Sequence, residues 1–264
     1  MRIAEIFHSL QGEGRLTGTE SVFVRASGCN LRCWYCDTPY ASWEPEGEEL
    51  AVEEIVGRVE ELARPGGERG TPAGHVVLTG GEPMMFAELV PLSEGLRRSG
   101  YHLTVETAAT LYLPVACDLM SISPKLSNAR RREETPPFRG GRRTTFRSRH
   151  APRDGFPHAE REAYDVPEGD PRPLFSPDVL RKLVGEYDYQ VKLVIHRPED
   201  IEEAEQFLAA FPQIDRGRAM LMPQGTDPAE LEEKARWIEP YCRRHGLGFC
   251  PRRQIEWFGL RRGT

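Results

Sequence analysis

Cys29, Cys33 and Cys36 lie in the run GCNLRCWYCDT with the spacing Cys-x3-Cys-x2-Cys. Spacings this short let three thiolates converge on one metal ion or on one face of a cubane, and Gly28 just before them permits a sharp turn. Thiolates suit zinc and iron–sulfur clusters. Two assignments follow. A structural zinc would draw a fourth ligand from Cys117 or Cys250, but zinc knuckles usually carry two Cys-x2-Cys pairs and this chain has one. A [4Fe–4S] cluster on three cysteines leaves one iron open to a substrate or cofactor, and the spacing favours it. Cys117, Cys242 and Cys250 are scattered, which makes a poor disulfide framework, and they read as small core residues.

Thr79-Gly80-Gly81-Glu82-Pro83 is the second cluster. Adjacent glycines let the backbone approach a ligand, and Glu82 offers a carboxylate to an amino group. A plain strand-to-helix turn with Pro83 near the first helical position is the alternative.

The elements that must position these groups alternate. Strands are predicted at 21–27, 75–78, 102–106, 118–123, 189–195, 219–222 and 248–250, from short apolar runs bounded by turn residues. Helices are predicted at 50–63, 85–99 with a break near Pro91, 198–211 and 227–244. Such a rhythm implies a parallel sheet with helical crossovers, of about six repeats rather than the eight of a closed barrel. The unusual clusters fall at strand ends: the cysteines, TGGEP, Glu106-Thr107, Ser123-Pro124-Lys125 and Met222-Pro223-Gln224-Gly225. Ligands bind at the carboxyl ends of strands in parallel α/β folds, so one rim faces a ligand.

The 264 residues are read as one domain, 1–264, with an irregular Arg-, Pro- and Gly-rich insertion at 127–175. Apolar residues make up 39% and charged residues 29%, which excludes a wholly disordered chain. No run approaches eighteen apolar residues, and His8 and Gln11 interrupt the start before any secretory signal, so a cytoplasmic protein is expected. A net charge of −6 argues against nucleic acid as an obligatory partner. The charges segregate: residues 44–61 hold eight glutamates and residues 129–153 nine arginines, the latter read as solvated surface.

The cysteine run with aromatic Tyr35, followed by Gly80-Gly81-Glu82-Pro83, resembles the radical S-adenosylmethionine (SAM) enzymes. Within that superfamily the chain resembles the 7-carboxy-7-deazaguanine synthase family. The residues that carry this are Phe7-His8-Ser9-Leu10-Gln11-Gly12-Glu13-Gly14, Arg25, Cys36-Asp37-Thr38 and Ser123-Pro124-Lys125. The matches run from residue 3 to about 125 and resume near Val191 and Leu221.

The resemblance implies an incomplete (β/α)6 barrel. It implies conversion of 6-carboxy-5,6,7,8-tetrahydropterin to 7-carboxy-7-deazaguanine with release of ammonia, begun by a 5′-deoxyadenosyl radical, in 7-deazapurine (queuosine) biosynthesis. Cys29, Cys33 and Cys36 would hold the [4Fe–4S] cluster. Tyr35, Asp37, Gly81, Ser123, Pro124, Lys125, Met222, Pro223, Gln224 and Gly225 would line the SAM site. Leu10, Gln11, Gly12, Arg25 and Thr79 would contact the substrate, with Glu13 close by, and Thr38 would ligate Mg²⁺. Arg25 can clamp a carboxylate through two parallel bonds. Thr38 alone is a weak ligand, so Mg²⁺ would need substrate oxygens and water; a turn-capping hydroxyl is the alternative. A histidine common near the family's last strand is Gln254 here, which leaves open whether an amide takes over its contact. Flavodoxin or ferredoxin as electron donor and a homodimer are implied in the same way. A glycyl-radical activating enzyme shares the cysteine spacing, and a non-catalytic zinc protein is the alternative of another class.

Overall fold

The computed structural model describes residues 1–64, 73–130 and 174–264. Nine strands form one sheet: β1 (Arg2–Leu10), β2 (Glu20–Ala26), β3 (Glu48–Glu49), β4 (His75–Gly80), β5 (His102–Thr107), β6 (Leu119–Ile122), β7 (Tyr189–Ile195), β8 (Ala219–Pro223) and β9 (Gly248–Phe249). Their order is β3-β1-β2-β4-β5-β6-β7-β8-β9, and every pair from β2 to β9 is parallel. The two ends of the sheet do not pair, so the fold is an incomplete barrel. The all-parallel expectation needs one amendment. β1 is antiparallel to both β2 and β3, and it went unread because its apolar residues are interleaved with charged and polar ones.

Helices α1 (Pro39–Ser42), α2 (Val52–Ala63), α3 (Leu89–Arg98), α4 (Pro177–Glu186), α5 (Glu199–Ala210), α6 (Pro228–His245) and α7 (Arg253–Phe258) complete the chain. α2 buries Ile55, Val59 and Ala63 one turn apart and keeps Glu53 and Glu54 in its first turn, where the helix dipole favours anions. The helix expected at 85–99 starts at Leu89 instead. Pro91 falls in its first turn, where a missing N–H breaks no intrahelical bond, so the helix is shortened rather than broken. α6 begins at Asp227, whose carboxylate accepts from the Ala229 and Glu230 amides, and stops at Gly246 in the left-handed region. No helix joins β5 to β6, and no helix is long and apolar enough to cross a membrane, among the described residues.

The insertion predicted at 127–175 lies outside the described residues except at its ends. Ser127–Ala129 is a 3-10 turn in which Asn128 is buried and donates to the Val194 carbonyl and to Asp200. Phe175 packs edge-on against Phe207 of α5.

Strand periodicity sorts the two faces of the sheet. On β7, Tyr189, Val191, Leu193 and Ile195 join the core under the helices, whereas Lys192 and Val194 face the barrel interior. The same alternation places Arg25, Thr79, Glu106 and Ser121 inside. The interior is layered. Ser21, His75 and Thr104 form a hydrogen-bonded polar layer at the strands' amino ends, at 2.7 and 2.8 Å. Phe7, Phe23 and Val77 make an apolar layer above it, with the two rings stacked at 5.1 Å. The charged layer comes last, at the carboxyl ends.

Candidate active site

A cavity of about 320 Å³ opens at those carboxyl ends. Cys29, Cys33 and Cys36, all free thiols, line it together with Tyr35, Asp37 and Thr38. Leu10, Gln11, Gly12, Glu13, Arg25, Thr79, Gly81, Ser123, Lys125, Met222, Pro223, Gln224 and Gln254 line it too. Two of the expected residues do not. Pro124 is buried beside the cavity, and Gly225 turns its carbonyl to Arg252 Nη1 at 2.5 Å.

The cysteine loop is fixed by its own backbone and by Arg32, whose Nη1 donates to the Cys29 and Leu31 carbonyls, each at 2.7 Å. Gly81 lies under this loop, where a Cβ would sit 2.2 Å from the Gly28 carbonyl oxygen and 2.5 Å from that of Ala41. Only glycine lets β4 and the loop touch there. Burial and the neighbouring thiols push the Cys29 and Cys33 thiols up, Cys33 to about 11. Three thiols that share one low-dielectric wall and repel as thiolates suit a cationic iron cluster, whose charge inverts that balance. Among the described residues no three His, Cys, Asp or Glu side chains converge as a single-ion site. Tyr35 packs with Val194, Met220 and Met222, and its buried hydroxyl has no partner among the described residues.

Glu82 departs from expectation. It is fully buried, and its carboxylate accepts from the Met84 amide at 3.1 Å and from the Thr107 hydroxyl and the Ala108 amide at 2.8 Å each. It ties β4 to β5 and, fully buried and off the cavity wall, does not reach a ligand in the cavity. Thr38 occupies the position before α1 but makes no capping bond, and its hydroxyl lies 3.7 Å from Cys36 Sγ.

Arg25 donates through Nε to Glu5 at 2.6 Å, and Tyr40 donates to the same oxygen at 2.7 Å. Its two terminal nitrogens keep no partner among the described residues, so the fork remains available for an anion. In the same cavity lies an ionic group of which the sequence named Glu13, Asp37, Thr79, Glu106 and Gln254 but not Lys192 or Arg252. Lys192 Nζ meets Glu13 at 2.8 Å and Glu106 at 3.2 Å, and the Thr79 hydroxyl donates to Glu106 at 2.8 Å. Arg252 pairs with Glu13 at 3.3 Å and with Asp37. Gln254 donates to Glu13 at 2.7 Å. Burial alone would raise the Glu13 carboxyl, but Lys192 and Arg252 hold it well below the usual carboxylate range. The one available signal was Lys192 itself, a cation inside the apolar run YQVKLVI.

Glu13 arrives from the β1–β2 loop, which crosses the gap between the sheet's two ends. The Gly14 amide donates to Cys250 Sγ, the Arg15 amide to Gln190, and the Arg253 amide to the Gly12 carbonyl.

A family model described as the radical SAM superfamily matches residues 23–126. The 7-carboxy-7-deazaguanine synthase of Rhodopirellula baltica is 40% identical over 263 residues, covering 99% of this chain and 88% of that one. That of Halobacterium salinarum is 38% identical over 96% of this chain and 88% of its own. The chain belongs to the 7-carboxy-7-deazaguanine synthase family. It is therefore a radical SAM enzyme. Among solved structures, QueE from Escherichia coli superposes with a TM-score of 0.60 at 22% identity, covering 95% of this chain and 92% of that one, a likeness of fold. Membership in the 7-carboxy-7-deazaguanine synthase family fits the cysteine wall, and the Glu13–Lys192–Glu106 group lies within the same cavity.

Proposed function

We propose that the enzyme converts 6-carboxy-5,6,7,8-tetrahydropterin to 7-carboxy-7-deazaguanine with release of ammonia. The observation that carries this reading is a single cavity with three free cysteines, an arginine held at Nε by Glu5 and an acceptor-rich carboxylate group on its walls, in a chain of this family. Cys29, Cys33 and Cys36 would hold a [4Fe–4S] cluster, which with SAM supplies hydrogen-atom abstraction when reduced. Tyr35, Asp37, Gly81, Ser123, Lys125, Met222, Pro223 and Gln224 would bound the SAM side. Pro124 and Gly225 would act there only through the backbone turns that they shape.

Arg25 would bind the substrate carboxylate, its fork oriented by Glu5. Gln11 accepts the Glu13 amide at 3.0 Å through its carbonyl, which leaves its amide hydrogens to donate to the pterin. Thr79, with its proton given to Glu106, would accept. The Thr38 hydroxyl, free of a capping bond, would join Mg²⁺ to substrate oxygens, with water filling the remaining positions. The apolar layer of Phe7, Phe23 and Val77 floors the cavity beneath. Flavodoxin or ferredoxin as reductant, a homodimer and a cytoplasmic setting complete the reading.

Anaerobic purification followed by iron and sulfide analysis tests it, with about four of each expected per chain. Turnover of carboxytetrahydropterin with SAM and a reductant should then release ammonia. Stoichiometric zinc, or no turnover with a full cluster, would overturn the proposal.

A further inference from the structure

The carboxylates of Glu13 and Glu106 reach one ammonium from two different elements. Glu13 comes from the β1–β2 loop and Glu106 from β5, while Lys192 stands between them on β7, 3% exposed. A buried lysine in an apolar strand is costly unless paired, and a lone pair of buried carboxylates would share a proton rather than both ionise. Arg252 is the other cation on this group, and it is divided between Glu13 and Asp37. Glu106 has only Lys192 as cationic partner among the described residues. Met220, in register with Lys192 on β8, and Ser121, in register with Gln190 on β6, carry no charge, and Cys250 is the remaining titratable neighbour.

We infer that Lys192 is a positioning residue that pins the Glu13 and Glu106 carboxylates with charge-assisted bonds, so that the cavity offers two fixed acceptors to an N–H-rich edge of the substrate. Every other side chain on that wall agrees in polarity. Thr79 gives its proton to Glu106, and Gln254 gives its amide hydrogen to Glu13, so each is committed as a donor toward the protein. An ionised carboxylate can only accept, which fixes these directions. Arg25, in register with Thr79 on the neighbouring strand, and Gln11, in the loop that carries Glu13, add donors to the same cavity. A ligand with a carboxylate for Arg25 and N–H donors for the two glutamates fits; an isomer presenting acceptors to Glu106 does not. This inference rests on the pterin reading above and deepens it.

The burial cost favours the neutral lysine, yet Glu106 and Glu13 outweigh it and hold the ammonium protonated. Removing the cation should therefore release both carboxylates from their fixed positions, so that the acceptors no longer meet the substrate edge.

The test compares wild type, Lys192→Arg, Lys192→Met and the double variant Lys192→Met/Glu106→Gln, all loaded with cluster. KM and kcat for carboxytetrahydropterin are measured, and SAM binding and substrate-free SAM cleavage are measured beside them. Lys192→Met should raise KM at least tenfold with a smaller change in kcat. Lys192→Arg should stay near wild type. The double variant restores charge balance, so it folds if charge is the only strain, and it should show the raised KM as well. SAM binding and cleavage should be unchanged in all four. An unchanged KM in either Met variant overturns the inference, as does an equal loss of substrate and SAM binding. If wild type itself fails to turn over the pterin, the functional reading fails instead, and the two failures are thereby distinguished.

Discussion

Arg25 shows how one side chain can be half committed. Its Nε is taken by Glu5, which is in turn held by Tyr40, so the guanidinium is aimed before any ligand arrives. Arg25→Lys keeps the charge and loses the fork, and the lysine cannot satisfy Glu5 and a carboxylate in the same plane. Substrate binding should weaken by roughly 1–3 kcal/mol, the range for charge-assisted hydrogen bonds, with SAM affinity unchanged. Calorimetry with each ligand checks this, and equal losses would make Arg25 structural. Thr38 poses a similar choice. Its hydroxyl does not cap α1, so Thr38→Ala should cost little stability and should weaken the Mg²⁺ dependence of turnover instead. Superimposable Mg²⁺ titrations for variant and wild type would remove the metal role.

At the scale of elements, the β1–β2 loop does what a closing strand does in a complete barrel. It joins β1 to β7 and to the segment after β9, and it carries Gln11, Gly12 and Glu13 into the cavity. Gly12 is the tightest point of that crossing. A Cβ there would fall 2.2 Å from Gln254 Oε1 and 2.6 Å from the Gln254 backbone nitrogen, and backbone cannot swing aside. Gly12→Ala should therefore destabilise by about 1–3 kcal/mol, the usual cost of overpacking, and should raise KM for substrate. Cluster content should survive, since the cysteine loop is anchored separately by Arg32. Denaturant melts together with iron analysis read both effects, and an unaltered melt would show that the crossing is looser than drawn.

At the scale of the whole molecule, function and stability occupy opposite ends of the barrel. His75 is buried in the lower layer, with Ser21 on one ring nitrogen and Thr104 on the other. Burial, aided by His102 nearby, lowers its pKa to about 4. The folded state thus refuses a proton that the unfolded chain accepts near pH 6.5, so stability should be full above that pH and decline as pH falls toward 4. The decline should amount to about 3 kcal/mol at most. His75→Gln should flatten the stability profile between pH 7 and 5, where carboxylates contribute little. Parallel slopes for variant and wild type across that window would contradict the assignment.

The spacing of Cys29, Cys33 and Cys36, the paired glycines and the strand-and-helix rhythm were all local patterns, and each was legible in the residues alone. Local chemistry dictates them: thiolates on a short loop, glycine where backbones touch, apolar residues at fixed periods. The rim of strand ends followed from the same rhythm, because parallel connections leave their loops on one side. What the chain order could not show was which distant residues would share charge. The bonded pairs among Glu13, Glu106, Lys192 and Arg252 lie 86 to 239 positions apart along the chain, and only the closure of the sheet around one axis brings them within hydrogen-bonding reach. Glu82 was hidden for the same reason: its context advertises a free carboxylate, but the pairing of β4 with β5 buries it off the cavity wall, where the Thr107 hydroxyl and the Ala108 amide donate to it.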